Sequence, residues 1–230
     1  MKNPLTPEEV EHFIEYGFVA VHDAFDVSPG SRIGRWIEES WVRNEVDPND
    51  PDAWPKDKIH MGGVEHLPFS EAAPKAWAAI CQIAGGEDRV NTSTGFGNGF
   101  IANYGLGKDR EWSPPTPEHK GWHVDGDFFL HFLDSPEQGL LTVVYFTDVE
   151  HRGGGTFIAP DSVGHVTRFL AAHPEGVRPD QFPRGEDALI RQCRDFREVT
   201  GPAGSVFIIH PFMLHASSYN HLPRARLMTN

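Results

Sequence analysis

Cysteine is nearly absent from this chain. Cys81 and Cys193 are the only two in 230 residues, and no spacing pairs them. That removes a disulfide framework and any zinc site built on cysteine thiolates, and makes a reducing, cytoplasmic setting the simpler expectation. Basic charge is scarce as well: 20 Lys and Arg stand against 33 Asp and Glu, a formal net charge of −13 at pH 7. Nucleic acids and anionic membranes select a basic footprint, so neither is expected as a partner. A small anionic ligand stays open, because local charge can oppose net charge. Also missing is any apolar run long enough to cross a membrane, and the opening Met1-Lys2-Asn3-Pro4-Leu5 lacks the hydrophobic stretch of a secretory signal.

What is present reads as one large domain over residues 1–230, with a 39% hydrophobic content that can build a core. Residues 1–90 look mainly helical. Thr6-Pro7-Glu8-Glu9 has the form of a capping box, Val10, Phe13 and Ile14 follow as a stripe, and Gly17 stops the helix before a strand at 18–21. A second helix is expected over 31–46 and a third over 70–84, the latter ended by Gly85-Gly86. Between them, 47–69 is rich in Pro, Asp and Gly and reads as a long loop. From about Asn91 the texture turns to short β-type runs at 99–104, 140–146, 156–159, 195–200 and 205–210, with one helix inserted at 162–172. Gly95-Phe96-Gly97-Asn98-Gly99 precedes an apparent strand rather than a helix, which favours a tight turn over a phosphate loop. Helices first and short strands later predict an α+β chain. Its residues 91–230 would form a double-stranded β-helix (jelly-roll) core, with the N-terminal helices packed on one sheet.

His123-Val124-Asp125 is the most informative stretch. On an extended segment the two outer side chains point to one side, offering an imidazole and a carboxylate to one metal ion. One more histidine would complete the facial triad of non-haem Fe(II) oxygenases. The segment 204–226 offers His210 and His215, and Pro211 prevents strand parity from choosing between them. Arg224 and Arg226 follow, either of which has the two-donor fork suited to a buried carboxylate.

Several stretches together resemble the phytanoyl-CoA dioxygenase family of Fe(II)/2-oxoglutarate oxygenases. They are Leu5-Thr6-Pro7-Glu8-Glu9 with Phe13 and Tyr16-Gly17-Phe18-Val19, Trp122-His123-Val124-Asp125, Gly154-Gly155-Thr156 with Ala159-Pro160-Asp161-Ser162, and 204–226. The resemblance implies that His123, Asp125 and His215 bind iron. His215-Ala216-Ser217 with Arg226 eleven positions on fits the family spacing better than His210 with Arg224. It further implies that Arg226 pairs with the distal carboxylate of 2-oxoglutarate, with Ser217 donating to it and Asn103 as a further contact. The implied reaction is hydroxylation of a small organic molecule with O2, forming succinate and CO2. Related halogenases carry a small residue in place of the carboxylate, so Asp125 speaks against halogenation.

Blander readings stand beside these. His-x-Asp alone is an ordinary strand surface, and a lone arginine is most often a surface ion pair worth under about 1 kcal/mol. His210 is expected to be a structural histidine near the site. The aromatic-rich stretch around the motif suggests Trp122, Asp127, Phe129 and His131 as substrate-pocket residues. Substrates as different as a lipid-like acid, an amino-acid derivative or a secondary metabolite fit these features. Two rivals are a cupin-like metalloenzyme that needs no cosubstrate, for which Arg226 would be dispensable, and a non-catalytic metal- or ligand-binding domain.

Overall fold

The computed structural model describes residues 3–50, 53–54, 58–63, 65–91, 95–96, 99–137 and 139–230. The chain opens with helix α1 (Pro7–Tyr16), held by the capping box its sequence announces. Thr6 Oγ1 accepts from Glu9 N at 3.2 Å and Glu9 Oε2 accepts from Thr6 N at 2.8 Å. Gly17 takes a left-handed φ of 74° and closes the helix onto Phe13 O. Strand β1 (Phe18–Val21) and helix α2 (Arg32–Arg43) follow, α2 capped by the Ser31 hydroxyl.

The expected long loop over 47–69 is only partly a loop. It contains strands β2 (Lys58–Gly62) and β3 (Leu67–Pro68), while residues 51–52, 55–57 and 64 lie outside the described set. The single helix expected at 70–84 is two, α3 (Phe69–Ala72) and α4 (Pro74–Ala84). Pro74 causes the break: the residue before a proline is pushed out of helical geometry, and Ala73 has φ −140° and ψ 62°. Strands β4 (Gly95–Phe96) and β5 (Gly99–Asn103) are next, and the tight turn expected there falls on Gly97-Asn98, outside the described residues. Then come β6 (Leu141–Tyr145), β7 (Thr156–Ala159), α5 (Ser162–Ala171), β8 (Arg197–Val199), β9 (Ser205–Ile209), β10 (Leu214–Ser217) and β11 (Arg226–Thr229).

The strands form two main antiparallel layers. The larger sheet has the order β1-β9-β6-β11-β5-β2, and the smaller β10-β7-β8, with β3 and β4 paired separately. Side-chain alternation divides the larger sheet. Val144, Val206, Ile208 and Leu227 point outward into a cluster with Trp36, Phe69, Trp77 and Ile80 of the N-terminal helices. Val143, Tyr145, Phe207, Ile209 and Met228 point inward and meet Ile158 and Val199 of the smaller sheet. A third cluster covers the back of the smaller sheet, where Leu214 and Ala159 pack under Val166 and Leu170 of α5. This is the jelly roll with helices on one sheet that the sequence predicts, and its inward face is where the chemistry collects.

Trp36 is 1% exposed and packs against Phe96, Phe100 and Phe146. Trp36→Ala should lower stability by about 3–5 kcal/mol. Val42→Ala, at a position 79% exposed, should stay within about 0.5 kcal/mol. Urea midpoints at constant slope check both.

Candidate metal centre

The segment carrying His123 joins the edge of β10 through one bridge. His123 N donates to His215 O and His215 N to His123 O, both at 3.0 Å. Directly paired residues in such a ladder present their side chains to the same face. The two imidazoles therefore come together, with ring centroids 4.3 Å apart. Asp125, two residues on, closes the group: its Oδ1 lies 3.4 Å from His123 Nε2 and 3.4 Å from His215 Nε2.

Both rings are oriented by the backbone. His123 Nδ1 donates to Gly121 O at 2.7 Å, and His215 Nδ1 donates to Met213 O at 3.0 Å. Placing the protons on Nδ1 leaves the Nε2 lone pairs aimed at a carboxylate oxygen. Three acceptors facing one another are unfavourable unless a proton or a cation lies between them. Without a cation, protons fill that role: the Asp125 contact raises the pKa of His123. Burial pushes the Asp125 carboxyl upward, but the two histidines outweigh it and hold the group well below the usual carboxylate range. A divalent ion bound at Nε2, Nε2 and Oδ1 would replace those protons. The donor set thus fits iron, and the Nδ1 bonds supply the orientation that metal-binding histidines require.

The residue after Asp125 also bears on its placement. Gly126 has φ 104°, and a Cβ there would lie 2.3 Å from the Phe129 ring. His131 is 5% exposed, donates Nε2 to Gly126 O at 2.7 Å, and has its ring 4.4 Å from that of Phe129. Phe129 and His131 thus pack beneath the turn that carries Asp125. Trp122, Asp127 and His131 line a cavity of about 420 Å³ with Phe182, Leu189 and Leu214. Alternation turns Trp122 and Val124 away from the Nε2 cluster, so this cavity runs along the back of the strand and reaches the centre at His123 and Gly126.

Arg226 starts β11, in register with Asn103 of β5, which is itself in register with Lys58 of β2. Arg226 is 2% exposed. Its Nη1 donates to Gly154 O at 2.5 Å, while among the described residues Nε and Nη2 have no partner and no carboxylate pairs with it. Burial lowers its pKa to about 10, with Tyr145 opposing the shift. Gly154 is required for the approach: φ is 81°, and a Cβ would lie 2.8 Å from Asn103 Nδ2. A buried guanidinium without a counter-ion is destabilising by several kcal/mol, on the order of what breaking a buried ion pair costs. A carboxylate ligand with two oxygens would remove that penalty, which is the fit expected for 2-oxoglutarate.

Lys58, which the sequence reading placed in a loop, reaches across to the smaller sheet, where Nζ donates to Ser217 Oγ at 3.1 Å. Its pKa is lowered by burial and by neighbouring Arg226. The alternation of Lys58 and His60 with Ile59 and Met61 was the available signal for a strand. Asn103 is buried and spends its amide on Ser218 O at 2.8 Å. His210 accepts from Phe212 N through Nδ1 at 3.1 Å and joins Gly17 O through its backbone, and no described contact links it to the three-residue group. Arg224 pairs at the surface with Glu150 at 3.1 Å. A second group with ligand-type atoms, Asp161, His165 and Cys193, lies on the back of the smaller sheet. There Arg168 donates to His165 Nδ1 at 3.0 Å, and Arg194 N donates to Asp161 at 2.6 Å.

A jelly roll with two histidines and a carboxylate on its inner face defines the class of non-haem iron oxygenases. The profile of the phytanoyl-CoA dioxygenase family matches residues 13–228, and the chain belongs to that family. It is therefore a non-haem iron oxygenase that uses 2-oxoglutarate. Solved structures with the same fold include the non-haem α-ketoglutarate-dependent carbocyclase SnoK from nogalamycin biosynthesis. It is 14% identical, with 98% of this chain and 82% of that chain covered and a TM-score of 0.57. The epimerase SnoN in complex with Fe3+, α-ketoglutarate and nogalamycin RO is 14% identical, with 96% and 80% covered and a TM-score of 0.54. EctD from S. alaskensis with 2-oxoglutarate and 5-hydroxyectoine is 14% identical, with 99% and 75% covered and a TM-score of 0.53. At these identities the likeness speaks for the fold. No curated protein matches by sequence. No helix among the described residues is long and apolar enough to cross a membrane.

A metal must displace the proton that Asp125 favours on His123, so binding should release protons. Because the pKa of His123 is raised, competition begins above the ordinary histidine range. Co(II) affinity should fall steadily as pH drops from about 8 through about 6.5. Flat affinity across that interval would contradict a site made of these groups.

Proposed function

We propose that the chain hydroxylates a small organic molecule, with Fe(II) held by His123, Asp125 and His215 and 2-oxoglutarate held by Arg226. The observation that carries this reading is the buried Arg226 guanidinium, whose Nε and Nη2 have no partner among the described residues, on the inner face it shares with the three-residue group. A metal site alone gives no reason to bury that charge. With iron and 2-oxoglutarate bound, reaction with O2 supplies an oxidant for an unactivated C–H bond and releases succinate and CO2.

The chain's own groups bind, orient and enclose. Arg226 offers Nε and Nη2 to the distal carboxylate of 2-oxoglutarate. Lys58 adds a second positive charge beside it, and its contact with Ser217 keeps that hydroxyl turned into the site. Inward Met228 and Ile101 contribute apolar surface that limits water. The backbone carbonyls of Gly121 and Met213 hold the Nδ1 protons, so the imidazoles stay neutral toward the metal. Asp125 occupies the position that a halide would need, which favours hydroxylation over halogenation.

The His123 side chain is 53% exposed and that of His215 only 7%, so a substrate approaches on the His123 side. The 420 Å³ cavity that meets the centre there is within the range of small-molecule sites, and Trp122, Phe182 and Leu189 suit an apolar body. A lipid-like acid, an amino-acid derivative or a secondary metabolite fits this description. Two free cysteines accord with a cytoplasmic, reducing setting.

Calorimetry on the Zn(II)-loaded protein tests the assignment. Arg226→Ala should weaken 2-oxoglutarate binding by about 30-fold or more while metal affinity stays within about threefold, since truncating one partner of a buried charge pair costs about 2–5 kcal/mol. Lys58→Ala should weaken it less. If Arg226→Ala binds 2-oxoglutarate as wild type does, the cosubstrate-free metalloenzyme reading takes its place.

A further inference from the structure

The two oxygens of Asp125 have different surroundings. Both imidazole Nε2 atoms converge on Oδ1, each at 3.4 Å. Oδ2 instead accepts from the side-chain amide of Asn230, Nδ2 to Oδ2 being 3.2 Å. Asn230 follows the end of β11, on the same alternation as Arg226 and Met228. Met228 points inward into the cluster between the two sheets, and Asn230 continues that row to the mouth of the barrel. There it lines a cavity of about 390 Å³ with His60, Gly62, Gly99 and Ile101. Four residues of extended chain span about 13 Å. One strand thus carries the candidate cosubstrate anchor at one end and a contact to the metal-binding carboxylate at the other.

We propose that Asn230 is a positioning residue that caps Asp125 Oδ2 and so makes the carboxylate a one-oxygen ligand. The inference rests on the iron and 2-oxoglutarate reading above. An iron held by the two imidazoles and one carboxylate oxygen would keep room for a two-atom chelate by the cosubstrate and for one gas molecule. A carboxylate is equally able to bind a metal through both oxygens. In that mode it would take the last position, and the loaded site would be closed to O2. Among the described residues nothing else holds Oδ2 away, since His123 and His215 contact Oδ1 only. An amide donor suits the task, because it donates to a carboxylate without adding charge beside the metal.

Asn230→Leu keeps the size and removes the donor at an exposed position. Nitric oxide is the probe for the last position, read by the half-integer-spin EPR signal of its ferrous adduct under anaerobic conditions. In the presence of 2-oxoglutarate, wild type should give the adduct. Asn230→Leu should need about tenfold more nitric oxide or above, the usual scale for losing a partner of a metal ligand. Its 2-oxoglutarate affinity by calorimetry and its unfolding midpoint should match wild type. Equal nitric oxide titrations in the two proteins would overturn the role of Asn230 while leaving the iron reading intact. Failure of wild type to bind 2-oxoglutarate at all would overturn that reading and this inference with it.

Discussion

Two backbone hydrogen bonds between His123 and His215 organise the centre. They are ordinary ladder bonds of 3.0 Å, yet they alone fix which histidine faces His123. The pairing sets the two rings on one face, and the two-residue step to Asp125 then delivers the carboxylate to the same place. The rest of the barrel supports that pairing. β10 is held by β7 in a four-residue register from Leu214 to Ser217, and α5 packs across the back of this sheet through Val166 and Leu170. A shift of one residue would send His215 into the apolar layer and bring Leu214 to the metal, which burial on both faces forbids.

The second constraint is electrostatic. Arg226 is buried and charged at neutral pH, with one backbone carbonyl as its hydrogen-bond partner among the described residues. Such an arrangement has little structural merit, because a well-packed apolar residue would stabilise the barrel more. It makes sense as preorganisation: the cation is already desolvated and aimed, so an incoming carboxylate gains most of the interaction. Lys58 extends the positive region toward the metal, since it feels the charge of Arg226 and in turn acts on His123. A strongly acidic protein thus keeps a small cationic interior.

Much of this was legible in the residues. Helix α1 follows from Thr6, Pro7, Glu9 and Gly17, a local code that tertiary contacts did not override. That His123 and Asp125 share one side follows from their two-residue spacing, and Arg226 from its distance to His215. What stayed hidden was mostly non-local. Strand β2 is amphipathic at the edge of its sheet, with Met61 buried and Lys58 and His60 exposed, so its polar residues resembled a solvated loop. The break between α3 and α4, by contrast, is local and carried by Pro74, which forces Ala73 out of helical geometry. Asn230 makes its contact across the whole barrel, and nothing in its neighbours announces it. The choice of His215 over His210 rested on family spacing. The geometry offers an independent physical reason, since His210 is tied to Gly17 at the junction of α1 and β1.

The central claim is that His123, Asp125 and His215 hold an iron that 2-oxoglutarate then chelates. Adding Fe(II) and then 2-oxoglutarate to the anaerobic apoprotein tests it most directly, through the visible metal-to-ligand charge-transfer band of that chelate. Wild type and His210→Ala should both show the band, and His123→Ala and His215→Ala should both lose it. A wild type without the band, or a His215→Ala variant that keeps it while His210→Ala does not, would contradict the account.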